Sequence, residues 1–433
     1  MEQALAVDLS LHEGTRVYVQ GWVHTIRKLG EVNFLIVRDR SGLTQAVMSS
    51  VELRPLAGLQ LETVVRVEGE VVAAPSAPRG YELHNNTVTV ISPVTDPLPF
   101  PINKKEITTN QSVLLDHAVV AYRNPRQRAV LRLAAGIMRG FRETLNQQGF
   151  TEVQTPKIVA SATESGANVF AVDYFGQTAY LAQSPQFYKQ IMVGVFERVY
   201  EIGPVFRAEP HETIRHLNEY VSMDVEFGFI EDHFTVMALL TDLLRGILSH
   251  LAAAHRNDIE TLGAQLPDVK DSIPHIHFSD AQQMLTDRFG VTDAIGEPDL
   301  SPQHERLLGR WARDEFGSDY LFVTGYPMIK RPFYTHPDPK RPEYSNSFDL
   351  LFRGTELVTG GQRLHRYADY IAAAQARGYD LKPFETYFET FKYGMPPHGG
   401  FAIGLERFVM QLLALDNVRM AALFPRTLSR LTP

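Results

Sequence analysis

The chain has 433 residues, enough for two or three domains and a large core, and its apolar runs are expected to fall short of a bilayer span. It has no cysteine, which excludes disulfides and thiolate zinc sites and fits a cytoplasmic enzyme; the start Met1-Glu-Gln-Ala-Leu lacks the basic and apolar regions of a signal peptide. A net charge of −8 excludes bulk phosphate attraction as the basis of nucleic-acid binding, so any RNA contact must rest on local patches and base recognition. From about residue 15 to 92 the pattern is of short strands: Arg16–His24 alternates, Asn33–Arg38 runs into the turn Asp39-Arg-Ser-Gly, and Leu43–Met48, Val64–Val72 and Val88–Ile91 follow. About five strands in one small unit suggest an OB-fold barrel, a frequent reader of single-stranded nucleic acid. Phe34 could stack on a base and Gln45 could bond a base edge, or the two could be plain core and surface. Pro93–Pro101 has four prolines in nine residues, a stiff connector that ends this domain.

Pro125 to Gln148 reads as a helix with proline early and Gly149 as its stop, followed by a strand through Pro156. Residues 160–168, small and polar, suit a lid loop. Ser184-Pro-Gln186 opens a helix with Gln186 and Lys189 on one face, and a lysine in a first turn is disfavoured unless an anion offsets it. The stretch Val199–Phe227 alternates on both sides of a charged loop, as an antiparallel strand pair does. Arg207 ends the first strand, where a rigidly held guanidinium suits a phosphate or carboxylate; the plain alternative is a solvated charged hairpin. Helices are expected around Phe234–His255, Ser279–Phe289 and Gln303–Phe316, and a strand at Tyr320. Phe348–Arg363 reads as a hairpin turning at Arg353-Gly354, with Asp349 and Glu356 as diagonal neighbours on one face. Two such carboxylates repel unless a cation lies between them, and an oxygen-rich site that also takes phosphate suits Mg²⁺. Gly399–Leu413 is a glycine-rich strand entering an amphipathic helix, its glycines permitting close approach by a ligand and Arg407 in the first turn, where an anion is favoured.

The Val199–Phe227 and Gly399–Leu413 segments resemble motifs 2 and 3 of the class II aminoacyl-tRNA synthetases, and the helix with the strand through Pro156 resembles motif 1, their dimer-forming element. Over nearly the whole chain the likeness is to aspartyl-tRNA synthetases of the class IIb, archaeal-type architecture. The resemblance implies an α+β fold: an OB-fold anticodon-binding domain at 1–100, a hinge at 101–124, and a class II catalytic domain at 125–433 with an antiparallel sheet flanked by helices. It implies L-aspartate, ATP and tRNA(Asp) as substrates, Mg²⁺ with the ATP, a homodimer and no membrane partner. Arg207 and Arg407 would be catalytic. Glu164, Gln186, Lys189, Arg207, Thr359 and Arg363 would hold aspartate, with Glu164 meeting its α-amino group. Arg207, Ala208, Glu209, Arg215, His216, Leu217, Glu356, Gly404, Leu405, Glu406 and Arg407 would hold ATP, and Asp349, Glu356 and Thr359 the metal; threonine stands at 359 where a serine is expected. Arg27, Phe34 and Gln45 would meet the anticodon. His24 stands where strict enzymes tend to have tryptophan and Pro78 near where they have lysine, both leaning toward a relaxed enzyme that also charges tRNA(Asn). Lys189 and Arg363 would present two cations to the substrate side chain, which asparagine would leave unpaired. The rivals are an asparaginyl-tRNA synthetase, in which an acidic residue tends to replace Lys189, an AMP-forming asparagine synthetase, which needs no barrel, and a non-catalytic RNA-binding paralogue.

Overall fold

In the computed structural model, which describes residues 1–30, 32–160 and 168–433, the chain divides into two units, Met1–Pro125 and Arg126–Pro433. The first is built on strands β1 (Arg16–Leu29), β2 (Val32–Arg38), β3 (Leu43–Met48), β4 (Val64–Ala73) and β5 (Tyr81–Ser92). Their order is β1-β2-β3-β5-β4, and β1 pairs with β4 as well, which closes the sheet into a barrel and leaves these strands no open edge. Alternation puts Val17, Val19 and Val23 of β1 and Val65, Val67 and Val71 of β4 in the barrel core. In β1 the register with β2 shifts: Val23 pairs with Val37 and Thr25 with Ile36, so His24 is the extra residue of a β-bulge and is buried beside Val23. The segment 101–124, suggested as a hinge, lies within this unit. There the Asn124 side chain donates to the carbonyls of Ile102 and Lys104, and Arg123 reaches Glu62 at 3.4 Å.

The second unit opens with α1 (Pro125–Gln147), proline at its first position where no N–H partner is lost. Around it are β6 (Thr151–Glu152), α2 (Gln186–Phe196), β7 (Arg198–Phe206), β8 (Glu219–Gly228) and α3 (His233–Ala254). Then come β9 (His275–His277), α4 (Phe278–Phe289), α5 (Pro302–Phe316), β10 (Tyr320–Thr324), β11 (Ser347–Phe352), β12 (Thr355–Gln362), β13 (His398–Gly404) and α6 (Leu405–Leu412). Eight strands form one sheet in the order β9-β10-β11-β12-β13-β8-β7-β6. The expected antiparallel sheet is corrected to a mixed one: the middle is antiparallel, while β9 and β6 pair parallel at the two edges. Of the strand expected through Pro156, Thr151 and Glu152 pair with β7 in this sheet, while Ile158 pairs with Leu181 in a separate small sheet.

Helix α3 also corrects the sequence reading, because by length and composition it could cross a bilayer. Its Val236, Leu240, Leu243, Leu244, Ile247 and Leu251 are buried in the core with residues of α1 and the sheet, so its apolar character is that of a core helix. At the β11–β12 turn, Arg353 and Gly354 both have positive φ (49° and 73°), as a two-residue hairpin with the right twist requires. Helix α5 packs on this turn so closely that a Cβ on Gly309 would lie 2.5 Å from the Gly354 Cα and N.

Candidate active site

Four elements converge on a cavity of about 470 Å³. Helix α2 supplies Gln186 and Lys189; the loop after β7 supplies Arg207, Glu209, Arg215, His216 and Leu217; strand β12 and its end supply Glu356, Thr359 and Arg363; the β13–α6 junction supplies Gly404, Glu406 and Arg407. Glu164 lies outside the described residues. Ala208, Leu405 and Asp349 are not in the cavity wall.

Around Lys189 and Arg363 the chemistry differs from expectation. The helix starts at Gln186, and Ser184 Oγ accepts the Gln186 N–H at 3.2 Å, doing the work expected of a cap one residue further along. Lys189, 1% exposed, is not waiting for an external anion: its Nζ donates to Asp224 Oδ1 at 3.0 Å and to the carbonyls of Val225 and Phe401, with Glu226 at 3.4 Å. Arg363 grips Glu226 through Nε at 3.0 Å and Nη2 at 3.4 Å. Two cations and two carboxylates thus share one buried cluster of zero formal charge. Burial alone would raise the Glu226 carboxyl, but Arg363 and Lys189 outweigh it and hold it below its ordinary range. Neither cation stands alone, since β8 pairs each of them. Beneath them Gln190 receives the Tyr387 hydroxyl at 2.8 Å and donates to Tyr370 and His398 at 2.9 Å, a fully connected polar layer.

Glycine has two jobs in β13. A Cβ on Gly400 would fall 2.0 Å from the Val225 carbonyl oxygen and 2.3 Å from Glu226 Oε2, so this glycine serves strand packing rather than a ligand. Gly404 has nothing closer than 3.8 Å and faces the cavity. Around Arg207, Asn218 closes the base of the loop by donating to the Arg207 and Glu209 carbonyls, and the Arg207 guanidinium lies over Tyr220. Arg407 approaches Glu356 Oε1 at 3.7 Å. Glu406 accepts the Val221 N–H, and burial pushes its carboxyl up to about 7. His216 bonds Thr213 and nears Glu209, with its pKa lowered chiefly by burial.

The hairpin also departs from the regular register. A bulge between Leu350 and Leu351 puts Thr359 opposite Asp349, while Glu356 pairs with Leu351. Thr359 donates to Glu356 at 3.2 Å. Asp349 is buried, bonded to Arg331 at 2.9 Å, and its pKa is raised because burial, with repulsion from Glu356, exceeds the pull of Arg331. The cation facing Asp349 is therefore a side chain, and of the expected metal trio only Glu356 and Thr359 reach the cavity. Sequence reasoning missed Arg331, and also Asp224, Glu226 and Glu305. The first two of these carboxylates carried a signal, since charges on a strand between Met223, Val225 and Phe227 are buried and must be paired. Glu305 of α5 accepts the Glu356 N–H at 3.1 Å and nears Arg215 at 3.6 Å; burial, reinforced by Glu356, pushes it up to about 7.

In the barrel, Arg27 pairs with Phe34 across β1–β2 and Gln45 pairs with Ile36, so Arg27, Phe34 and Gln45 share one sheet face. Phe34 is half-buried; Gln45 is buried and its amide donates to Glu82 at 2.8 Å. Pro78 opens a single 3₁₀ turn between β4 and β5.

A family model described as tRNA synthetases class II (D, K and N) matches residues 110–428, and one for an OB-fold nucleic acid binding domain matches residues 17–91. An aspartate–tRNA(Asp/Asn) ligase of Deinococcus radiodurans is 49% identical, the alignment covering 100% of this chain and 99% of the relative. One of the same name from Thermus thermophilus is 48% identical over 100% of both. Among solved structures, the asparaginyl-tRNA synthetase of Pyrococcus horikoshii complexed with asparaginyl-adenylate has a TM-score of 0.89 at 32% identity, covering 98% of this chain and 97% of that one.

Proposed function

Because the chain belongs to the class II tRNA synthetases of the D, K and N group, we propose that it is an aspartate–tRNA ligase that activates L-aspartate with ATP and passes it to tRNA. The observation that carries this reading is one cavity lined by the paired Lys189 and Arg363 together with Arg207 and Arg407. The aspartate α-carboxylate attacks the ATP α-phosphorus, its C–O–P bond forms as the bond to pyrophosphate breaks, and aspartyl-adenylate results. A tRNA 3′-end hydroxyl then takes the aspartyl group and AMP leaves. The first nucleophile is already ionised, so this step needs placement and charge stabilisation rather than a base. Arg207 holds the α-phosphate, Arg407 the γ-phosphate, and Arg215 and His216 the rest of the nucleotide. Lys189 and Arg363 hold the substrate side chain, and Asp224 suits its ammonium.

For Mg²⁺ the donors fit: Glu356 and Thr359 offer hard oxygens on the cavity wall beside the phosphate-holding arginines, and this ion takes few protein ligands when phosphates supply the others. Bound there with ATP, it would neutralise charge developing on the pyrophosphate. The test is ATP–pyrophosphate exchange with aspartate against asparagine. Exchange that requires aspartate supports the reading, and exchange with asparagine alone replaces it with the asparaginyl rival.

The same reading extends to tRNA(Asn), supported by the aspartate–tRNA(Asp/Asn) ligases at 49% and 48% identity and by a histidine, able to donate or accept, at position 24. Translation places such an enzyme in the cytoplasm, and the motif 1 region, α1 with the segment through Pro156, suits a two-fold dimer.

A further inference from the structure

Pairing of β7 with β8 ends at Phe206 and Glu219, so residues 207–218, which carry Arg215 and His216 to the cavity, need other anchors. The base of this loop is closed by Arg207 N–H on the Asn218 carbonyl, and Arg215 nears Glu305 at 3.6 Å; the anchors around residues 212–218 come from residues 418–430. Glu212 Oε1 accepts Ser429 Oγ at 2.5 Å, Thr427 Oγ1 at 3.0 Å and Arg419 Nη2 at 3.1 Å. On the backbone, Val418 N–H donates to the Ile214 carbonyl and Asn218 N–H to the Arg426 carbonyl, both at 2.9 Å. The anchoring segment is itself tied down. Thr427 and Arg430 exchange backbone hydrogen bonds, Arg426 donates to the Pro433 carbonyl at 2.7 Å, and the Asn417 side chain accepts the Arg419 N–H at 3.0 Å. The Ser429 hydroxyl above all, then Thr427 and Arg419, keep the Glu212 carboxyl below its ordinary range.

Any one of these contacts, facing solvent, is worth little. Together they fix the loop on both sides of Arg215 and His216. A loop ordered beforehand spares nucleotide binding the entropy of ordering it. We propose that Glu212 is a positioning residue: its clasp with Arg419, Thr427 and Ser429 holds the loop so that Arg215 and His216 face the cavity before ATP enters. This rests on the ATP reading above.

Three full-length variants test it: Glu212→Ala, Glu212→Gln, and Thr427→Val with Ser429→Ala. Limited trypsin digestion without nucleotide reads the loop directly. Cleavage after Arg215 should be about tenfold faster in Glu212→Ala and in the double variant than in the wild type. Glu212→Gln should recover much of the protection, because its amide oxygen still accepts both hydroxyls. In aspartate-dependent exchange the ATP KM should rise about tenfold in Glu212→Ala while the aspartate KM stays within about twofold. Unchanged cleavage overturns the clasp, and so does an ATP KM within about twofold of wild type. A parallel rise in both KM values, which general damage would produce, also overturns it. If wild-type protein shows no aspartate-dependent exchange, the assigned reaction fails, while the digestion still decides the clasp.

Discussion

At the buried ion pairs the cost of a substitution is set by what it leaves behind. Arg363→Leu would strand Glu226, which is completely buried, with Lys189 as its remaining cation. Removing one member of a buried pair costs about 3–5 kcal/mol. Aspartate-dependent exchange should therefore be lost and the melting temperature should fall, while calorimetry still detects ATP. Near-normal exchange would remove Arg363 from the amino-acid site. His398 makes a pH prediction. Its Nε2 accepts from Gln190 and its Nδ1 donates to the Pro396 carbonyl, so the folded protein holds it neutral. Burial above all lowers its pKa from 6.5 to about 4. Because the folded value lies below the unfolded one, the contribution to stability is complete above 6.5 and drains away as pH falls toward 4. Melting curves across that interval should drop less steeply for His398→Gln than for the wild type; parallel curves would exclude His398 as a source of the loss. The sequence made Lys189 and Arg407 visible as cations in a helical first turn and Arg207 as one at a strand end, whereas Arg363 was reached through the family resemblance alone. It hid their partners' geometry, since no spacing rule brings Asp224 to Lys189 across two elements.

Among elements, the contact of α5 with the β11–β12 turn governs the side of the cavity that carries Glu356. Glu305 bonds the Glu356 backbone only because Gly309 lets the helix lie against Gly354. Gly309→Ala sets a methyl against backbone that cannot yield cheaply, a change expected to cost about 1–3 kcal/mol. The Mg²⁺ concentration for half-maximal exchange should rise with it, and an unchanged melting temperature would show that the helix has room to spare. Helical periodicity made α5 legible and turn chemistry made the Arg353-Gly354 hairpin legible. Neither could say that one rests on the other. The bulge between Leu350 and Leu351 left no mark in composition, so the register of Asp349 was beyond reach of alternation alone.

For the molecule entire, selection of tRNA and assembly are the properties to measure. With His24 at the bulge, aspartylation of tRNA(Asp) and tRNA(Asn) transcripts should agree within about tenfold. A preference of about a hundredfold, roughly 2.7 kcal/mol, would exclude the relaxed reading. Where the two agree within about tenfold, His24→Trp should favour tRNA(Asp). Light scattering at micromolar concentration should give a dimer, and full activity in a monomer would count against the motif 1 interface. The barrel and the two strand pairs β7–β8 and β11–β12 were legible because alternation and turns are local, whereas the parallel edge strands β6 and β9 were not. Arg331 as the counter-ion of Asp349 was not, because the two meet only through the folded sheet. The buried square of Lys189, Arg363, Asp224 and Glu226 also bears on descent. Any single exchange that alters one of its charges leaves an odd charge without water, so each lone step is penalised while a compensating pair is not. A lineage changing its amino acid at this site would have to move two positions nearly together, and related enzymes should differ here in charge-balanced sets.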